Sequence, residues 1–269
     1  MSNASSEPKP AVVTPILVVN AIHKKVPWNP ILGVVFIIIV FFGAQLLSGI
    51  VLSLYPLVRH WTSAQATSWL SNSVEVQFIY ILLAEALTVG FIYLFLRFYK
   101  QGISYIGLKK PRFRDPLYGL MAIPVYYILF GILVYVVTQF FPSLNVSQKQ
   151  ELGFDNVAGQ SQLVYTFLSL VILPPLAEEI LFRGFLYKTL RSGLGIPAAA
   201  LITSILFGAG HLAEGGSGGP LYIGALQTFV LSLVLVYLRQ KTHSLWASIT
   251  LHMGNNFIAF LYLFVLHTH

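Results

Sequence analysis

Charge interrupts this sequence only at long intervals, and those intervals decide what it can fold into. Between Lys25 and Arg59 lies the apolar stretch 31–54, which contains the run GVVFIIIVFF. Between Glu75 and Arg97 lies 78–96, broken only by Glu85. Asp115 and Lys149 enclose 117–140, and a fourth segment opens after Asp155 and continues helically through Leu190. Residues 196–211, 221–238 and 245–266 supply three more, of which 196–211 is the shortest. A helix needs about 20 apolar residues to cross a bilayer. Backbone groups in lipid must be bonded internally, so these stretches predict helices, and no alternating pattern suggests a barrel. Composition agrees: 56% of residues are hydrophobic and 9% charged, where soluble domains carry about 25% charged residues. The expectation is an all-α integral membrane protein, a bundle of about seven transmembrane helices, with an eighth accommodated only as a re-entrant or interfacial piece.

Orientation follows from the basic residues. With the N-terminal tail and the loops after helices two, four and six on one side, that side receives fourteen of the chain's 16 Lys and Arg residues, Arg183, Lys188 and Arg191 among them. Only Arg59 and Lys149 fall on the other side. This predicts a cytoplasmic N-terminus and an external C-terminus. The net charge of +7 is then explained by anionic headgroups, and no nucleic acid partner is expected. Residues 1–29 read as a cytoplasmic or interfacial segment rather than a cleaved signal peptide, because Lys and Pro precede the apolar run. Residues 30–269 are expected to form the transmembrane helical domain. The stretch GISYIGLKKPRFRD (102–115) interleaves apolar and basic residues, as a segment lying on an anionic leaflet does. Asn145-Val-Ser147 is a glycosylation sequon in a loop expected outside. With no cysteine in the chain, thiol nucleophiles and cysteine-bound metals are excluded.

Ionisable groups inside a bilayer are costly and usually mark function. They occur here at Glu85, at Glu178-Glu179 with Arg183, at His211, and at His252 with Asn256. Each alone also fits an interhelical polar contact; four such places in one small bundle point to a site. Glu179 and Arg183 are four apart and can pair on one helical face. Glu178 is turned about 100° away, free to act elsewhere. Pro174-Pro175 loosens the helix just upstream. From a turn near Gly193, Glu178 and His211 lie at similar depth, and Gly208, Ala209 and Gly210 allow close approach. A Glu–His pair around one water is a general base for hydrolysis. His252 and Asn256, one turn apart, carry N–H groups suited to an oxyanion. Glu85 is expected to pair with Arg183, line the cavity, or hydrogen-bond across helices.

Taken together these residues resemble the CPBP family of CAAX proteases and bacteriocin-processing membrane proteins, which includes the Rce1-like prenyl-protein endopeptidases. Its Glu-Glu-x-x-x-Arg motif is present as Glu178-Glu179-Ile-Leu-Phe-Arg183, its Phe-x-x-x-His motif as Phe207-Gly-Ala-Gly-His211, and its His-x-x-x-Asn motif as His252-Met-Gly-Asn-Asn256. The resemblance implies an intramembrane glutamate endopeptidase with its catalytic core at about 160–262 and needing no cofactor. Glu178 and His211 would activate water, His252 and Asn256 would hold the oxyanion, and Glu179, Arg183 and Phe207 would support them. The substrate would be a membrane-associated peptide or protein, either a prenylated CAAX-type terminus or a bacteriocin or signal peptide.

Three alternatives compete with this expectation. In one, zinc is held by His211, His252 and Glu178, although no His-Glu-x-x-His occurs. In another, the chain is a non-catalytic immunity or peptide-binding protein of the same fold. In the last, it is a transporter using the same Glu and His residues as a proton relay, against which stand its small size and the lack of an inverted repeat.

Overall fold

A computed structural model describes residues 25–266. They form α1 (Pro30–Val58), α2 (Ser63–Asn72), α3 (Val74–Phe98), α4 (Arg114–Phe140), α5 (Gln160–Arg191), α6 (Ile196–Gly210), α7 (Tyr222–Thr242) and α8 (Trp246–Leu266). Seven are long and apolar enough to cross a membrane, α6 being counted with the 3₁₀ turn His211–Gly218 that continues it. The all-α membrane bundle expected from the charge-free intervals is the fold observed. The added element is α2, too short and polar to span. It is started by a capping box in which Thr62 and Gln65 satisfy each other's backbone N–H groups.

Local chemistry sets the helix ends. Asn29 caps α1 by accepting from Ile31 N at 2.8 Å, and Pro30 occupies the first turn, where a missing N–H costs nothing. On α1 and α4, apolar side chains such as Ile39, Phe42, Leu46, Met121 and Ile128 stand exposed, which is stable only where lipid replaces water. The interior is more polar. Ser169, Thr189, Thr203, Ser204, Ser232 and Ser248 are fully buried, as small polar residues are where membrane helices bridge one another.

α5 is the hub, packed against α1, α3, α6 and α8, while α8 also packs on α4 and α7. Two glycines fix the closest approaches. A Cβ at Gly119 would lie 2.5 Å from the Ala247 carbonyl oxygen, and one at Gly208 would lie 2.7 Å from that of Ala225. Of the small residues expected to let helices approach, Gly210 faces open space instead.

The face carrying the α3–α4 loop differs from its reading as a membrane-surface segment. Lys109 to Arg114 are exposed, but Ile106 and Gly107 are buried in protein. The Gly107 carbonyl accepts from Leu245 N at 3.0 Å, Tyr105 O from Lys188 Nζ at 2.7 Å, and Ile106 O from Arg239 Nη2 at 3.1 Å. Residues 1–24 of the expected interfacial segment lie outside the described residues. In the remainder, Trp28 is buried rather than interfacial. It stacks on Phe185 at 5.0 Å, and its Nε1 donates to Thr189 Oγ1 at 3.1 Å.

Candidate active site

The site is built on the least regular helix in the molecule. α5 runs through two π-helical stretches, Leu168–Ile172 and Glu179–Leu186, on either side of Pro174-Pro175. Proline has no N–H, so the Leu170 carbonyl finds no donor at position 174 for an α bond or at 175 for a π bond. Asn256 fills the gap from α8: its Nδ2 donates to Leu170 O at 2.9 Å. Its Oδ1 accepts from Asn255 Nδ2 at 3.1 Å, and Tyr127 OH donates to Asn255 Oδ1 at 3.1 Å. Asn256 is thereby locked in place with its second amide hydrogen left for another acceptor.

After the proline break, Glu178 and Glu179 take different surroundings. Glu179 is fully buried and receives Arg183 Nη1 at 2.9 Å, with Arg183 also fully buried. Such a pair, once desolvated, persists only if each partner keeps the other. The same Glu179 oxygen lies 3.1 Å from His252 Nδ1. A carboxylate already paired with arginine accepts rather than donates, so Nδ1 carries the hydrogen and His252 Nε2 is aimed outward. Nε2 lies 3.7 Å from Glu178 Oε2, and Glu178 keeps 22% of its side-chain surface accessible. A continuous polar chain results, Arg183–Glu179–His252–Glu178, dry at one end and open at the other.

Phe207 is the floor of this arrangement. Its ring lies 4.1 Å under the Arg183 guanidinium, a cation–π contact. It also meets the His211 ring at 4.8 Å and the His252 ring at 5.8 Å, both edge to face. His211 sits where α6 ends, and its Nδ1 is 2.8 Å from Phe207 O. A carbonyl can only accept, so Nδ1 holds the hydrogen and Nε2 holds the lone pair of the neutral ring. His211 and His252 thus share the Phe207 ring from α6 and α8, with Glu178 beside His252 Nε2, and among the described residues Glu178 and His211 form no ion pair with each other. Glu85, on α3, stands within electrostatic reach of Glu178; a pairing of Glu85 with Arg183 is not seen. Among the described residues no three His, Asp or Glu side chains are grouped so as to hold a metal ion.

The depth of these groups is explained by how far α5 extends. Glu178 lies about 20 Å from the Arg191 end, and His211 about 22 Å from the start of α6. His252 is only about 9 Å into α8. The difference is absorbed because Gly184 is level with Leu245, a Cβ there lying 3.3 Å from Leu245 Cδ1. The rest of α5 projects past the start of α8, under Trp28 and Tyr105.

Three further residues belong to this neighbourhood and were not read from the sequence. Glu214 lies 4.0 Å from His211 Nε2, and Asn255 and Tyr127 brace Asn256. The spacing of Glu214, three after a histidine at a helix end, was the available signal.

An all-helical membrane bundle with a buried Glu–His–Glu–Arg chain beside a second histidine defines a polytopic protein built around an intramembrane polar site. Residues 160–258 match a family model described as Type II CAAX prenyl endopeptidase Rce1-like. That stretch, from the start of α5 into α8, carries all three motifs. No curated protein and no solved structure matches the chain.

Proposed function

We propose that this protein is an intramembrane endopeptidase of the glutamate type, cleaving a peptide bond in a CAAX-type, membrane-associated substrate. The observation that carries the reading is Glu178 at 3.7 Å from His252 Nε2, with the His252 and His211 rings both against Phe207 and Asn256 one turn beyond His252, within the segment that matches the protease family.

Glu178 is the open carboxylate of the set and takes the proton of the attacking water, while His211 stands beside it across the Phe207 ring. The carbonyl oxygen of the scissile bond becomes an oxyanion, held by the second amide hydrogen of Asn256 and by His252 Nε2 when that ring is doubly protonated. Glu179 against Nδ1 supplies the counter-charge for that imidazolium, and Arg183 holds Glu179 in place. Such donors act strongly because they are fixed beforehand in a water-poor site. The basic face, carrying Lys100, Lys109, Lys110, Arg112 and Arg114, is placed at the cytoplasm by the positive-inside rule, with the C-terminus external.

The test is cleavage of a farnesylated CAAX-type peptide by purified protein, followed by mass spectrometry. Release of the terminal tripeptide by the wild type, lost in Glu178→Gln and insensitive to chelator, is the expected result. An intact peptide, or equal release by Glu178→Gln, would overturn the reading in favour of a binding protein.

A further inference from the structure

Glu214 is a carboxylate with an unusual set of partners. α6 ends at Gly210, and the chain continues through the 3₁₀ turn His211–Gly218. In such a turn residues three apart lie on the same side. Glu214 Oε1 is thus brought 4.0 Å from His211 Nε2, and among the described residues His211 is its one ion-pair partner. Its other oxygen accepts from Gln150 Nε2 at 2.7 Å, and its main-chain carbonyl accepts from Glu151 N at 2.8 Å. The α4–α5 loop that supplies these donors is itself anchored. Glu151 Oε1 receives Ser217 N and Ser217 Oγ at 3.0 Å each, and Gln148 Nε2 donates to the carbonyls of Gly218 and Gly219. The α4–α5 loop braces this carboxylate, which keeps 36% of its side-chain surface accessible and has one oxygen within ion-pair distance of one nitrogen.

That nitrogen is the lone-pair end of the ring, since Nδ1 donates to Phe207 O. An ionised carboxylate and a neutral Nε2 are both acceptors, and at 4.0 Å they attract as an ion pair only when Nε2 is protonated. Building on the proposed peptidase reading, we infer that Glu214 is a positioning residue that makes His211 the proton donor to the leaving amine, while Glu178 is the base. The step balances. Water adds its oxygen to the carbonyl carbon and gives a proton to Glu178. As the C–N bond breaks, the proton held by the His211–Glu214 pair passes to the departing nitrogen. Return of the Glu178 proton to His211 restores the starting state. Gln150 places the α4–α5 loop in the same device, by orienting Glu214.

Leaving-group chemistry separates this role from mere support of the fold. An amine must be protonated to leave, whereas an alkoxide leaves with far less help. Wild type, Glu214→Gln, Gln150→Leu and Glu178→Gln are compared on a farnesylated CAAX-type peptide and on the same peptide with an ester in place of the scissile amide. Glu214→Gln is expected to lower kcat on the amide by on the order of tenfold or more, with KM within about twofold and a clearly smaller loss on the ester. Gln150→Leu should move both in the same direction by less, and it carries the test if Glu214→Gln does not fold. Equal losses on amide and ester, or none on either, overturn the inference while leaving the peptidase reading intact, provided Glu178→Gln is inactive. If the wild type or Glu178→Gln contradicts the peptidase reading, both fall together.

Discussion

α4 and α5 are both apolar helices of membrane-spanning length, yet they are built on opposite plans. Only 11% of α4's most apolar window is buried inside the protein, against 39% for α5. α4 is α-helical throughout, even across Pro124, and turns large side chains such as Met121, Ile128 and Ile132 outward. α5 passes through two π-helical stretches around a double proline and buries every residue from Glu179 to Leu186. The difference teaches where a membrane protein can keep chemistry. A lipid-facing helix must satisfy its own backbone, whereas one enclosed by neighbours can leave a carbonyl such as that of Leu170 to a side chain on another helix.

That contrast can be broken by substitution, and the largest effect should come at the open carboxylate. Glu178→Gln is expected to lower peptide hydrolysis by about 10²-fold or more with the folded protein retained, checked by turnover and by thermal unfolding of the same preparation. Next comes the buried pair. Arg183→Met leaves Glu179 uncompensated among apolar neighbours and should destabilise by about 3–5 kcal/mol. Arg183→Met with Glu179→Gln should recover much of that loss without recovering activity. A thermal shift series on the single and double variants reads this directly, and equal stability of the two would refute the account of the pair.

Asn256→Ala should cost about 1–3 kcal/mol, because it strands the Leu170 carbonyl, and should lower kcat more than it raises KM. An isolated loss of KM would sink its role towards the oxyanion. The smallest effects separate the two helix plans most plainly. Gly208→Ala drives a Cβ against the Ala225 carbonyl oxygen and should destabilise by about 1–3 kcal/mol. Gly131→Ala on α4 meets nothing within 4 Å and should be neutral or mildly stabilising, by at most about 1 kcal/mol.

The sequence discloses the lipid-facing plan more readily than the enclosed one, for physical reasons. Charge is excluded from the bilayer interior, so the limits of α1, α3 and α4 are written directly into the spacing of Lys, Arg, Asp and Glu. The motif residues are legible because ionisable groups in such segments are conspicuous. What those groups touch is not. Arg183 counts as one more basic residue near a loop until α5 is seen to project past the start of α8, leaving it sealed against Glu179. Asn256 reads as a donor one turn from His252, yet one of its hydrogens is drawn to Leu170 by a proline effect 86 positions away in the chain. Glu214 hides in a glycine-rich stretch whose partners, Gln148, Gln150 and Glu151, lie in a loop with no motif of its own. The exchange of a membrane-surface reading for burial at Ile106 has the same origin. Its apolar side chain fits a lipid interface as well as a protein core, and only the contacts to Gly184 and Leu245 decide between them.

We propose that the enclosed half of the bundle hydrolyses peptide bonds through Glu178. The most direct measurement compares protein termini by mass spectrometry in native-host membranes carrying wild type or Glu178→Ala at equal abundance. The expected result is a defined set of new C-termini on membrane-associated proteins that is present with the wild type and absent with the variant. Identical termini in the two membranes, in cells where loss of the protein has a phenotype, would contradict it.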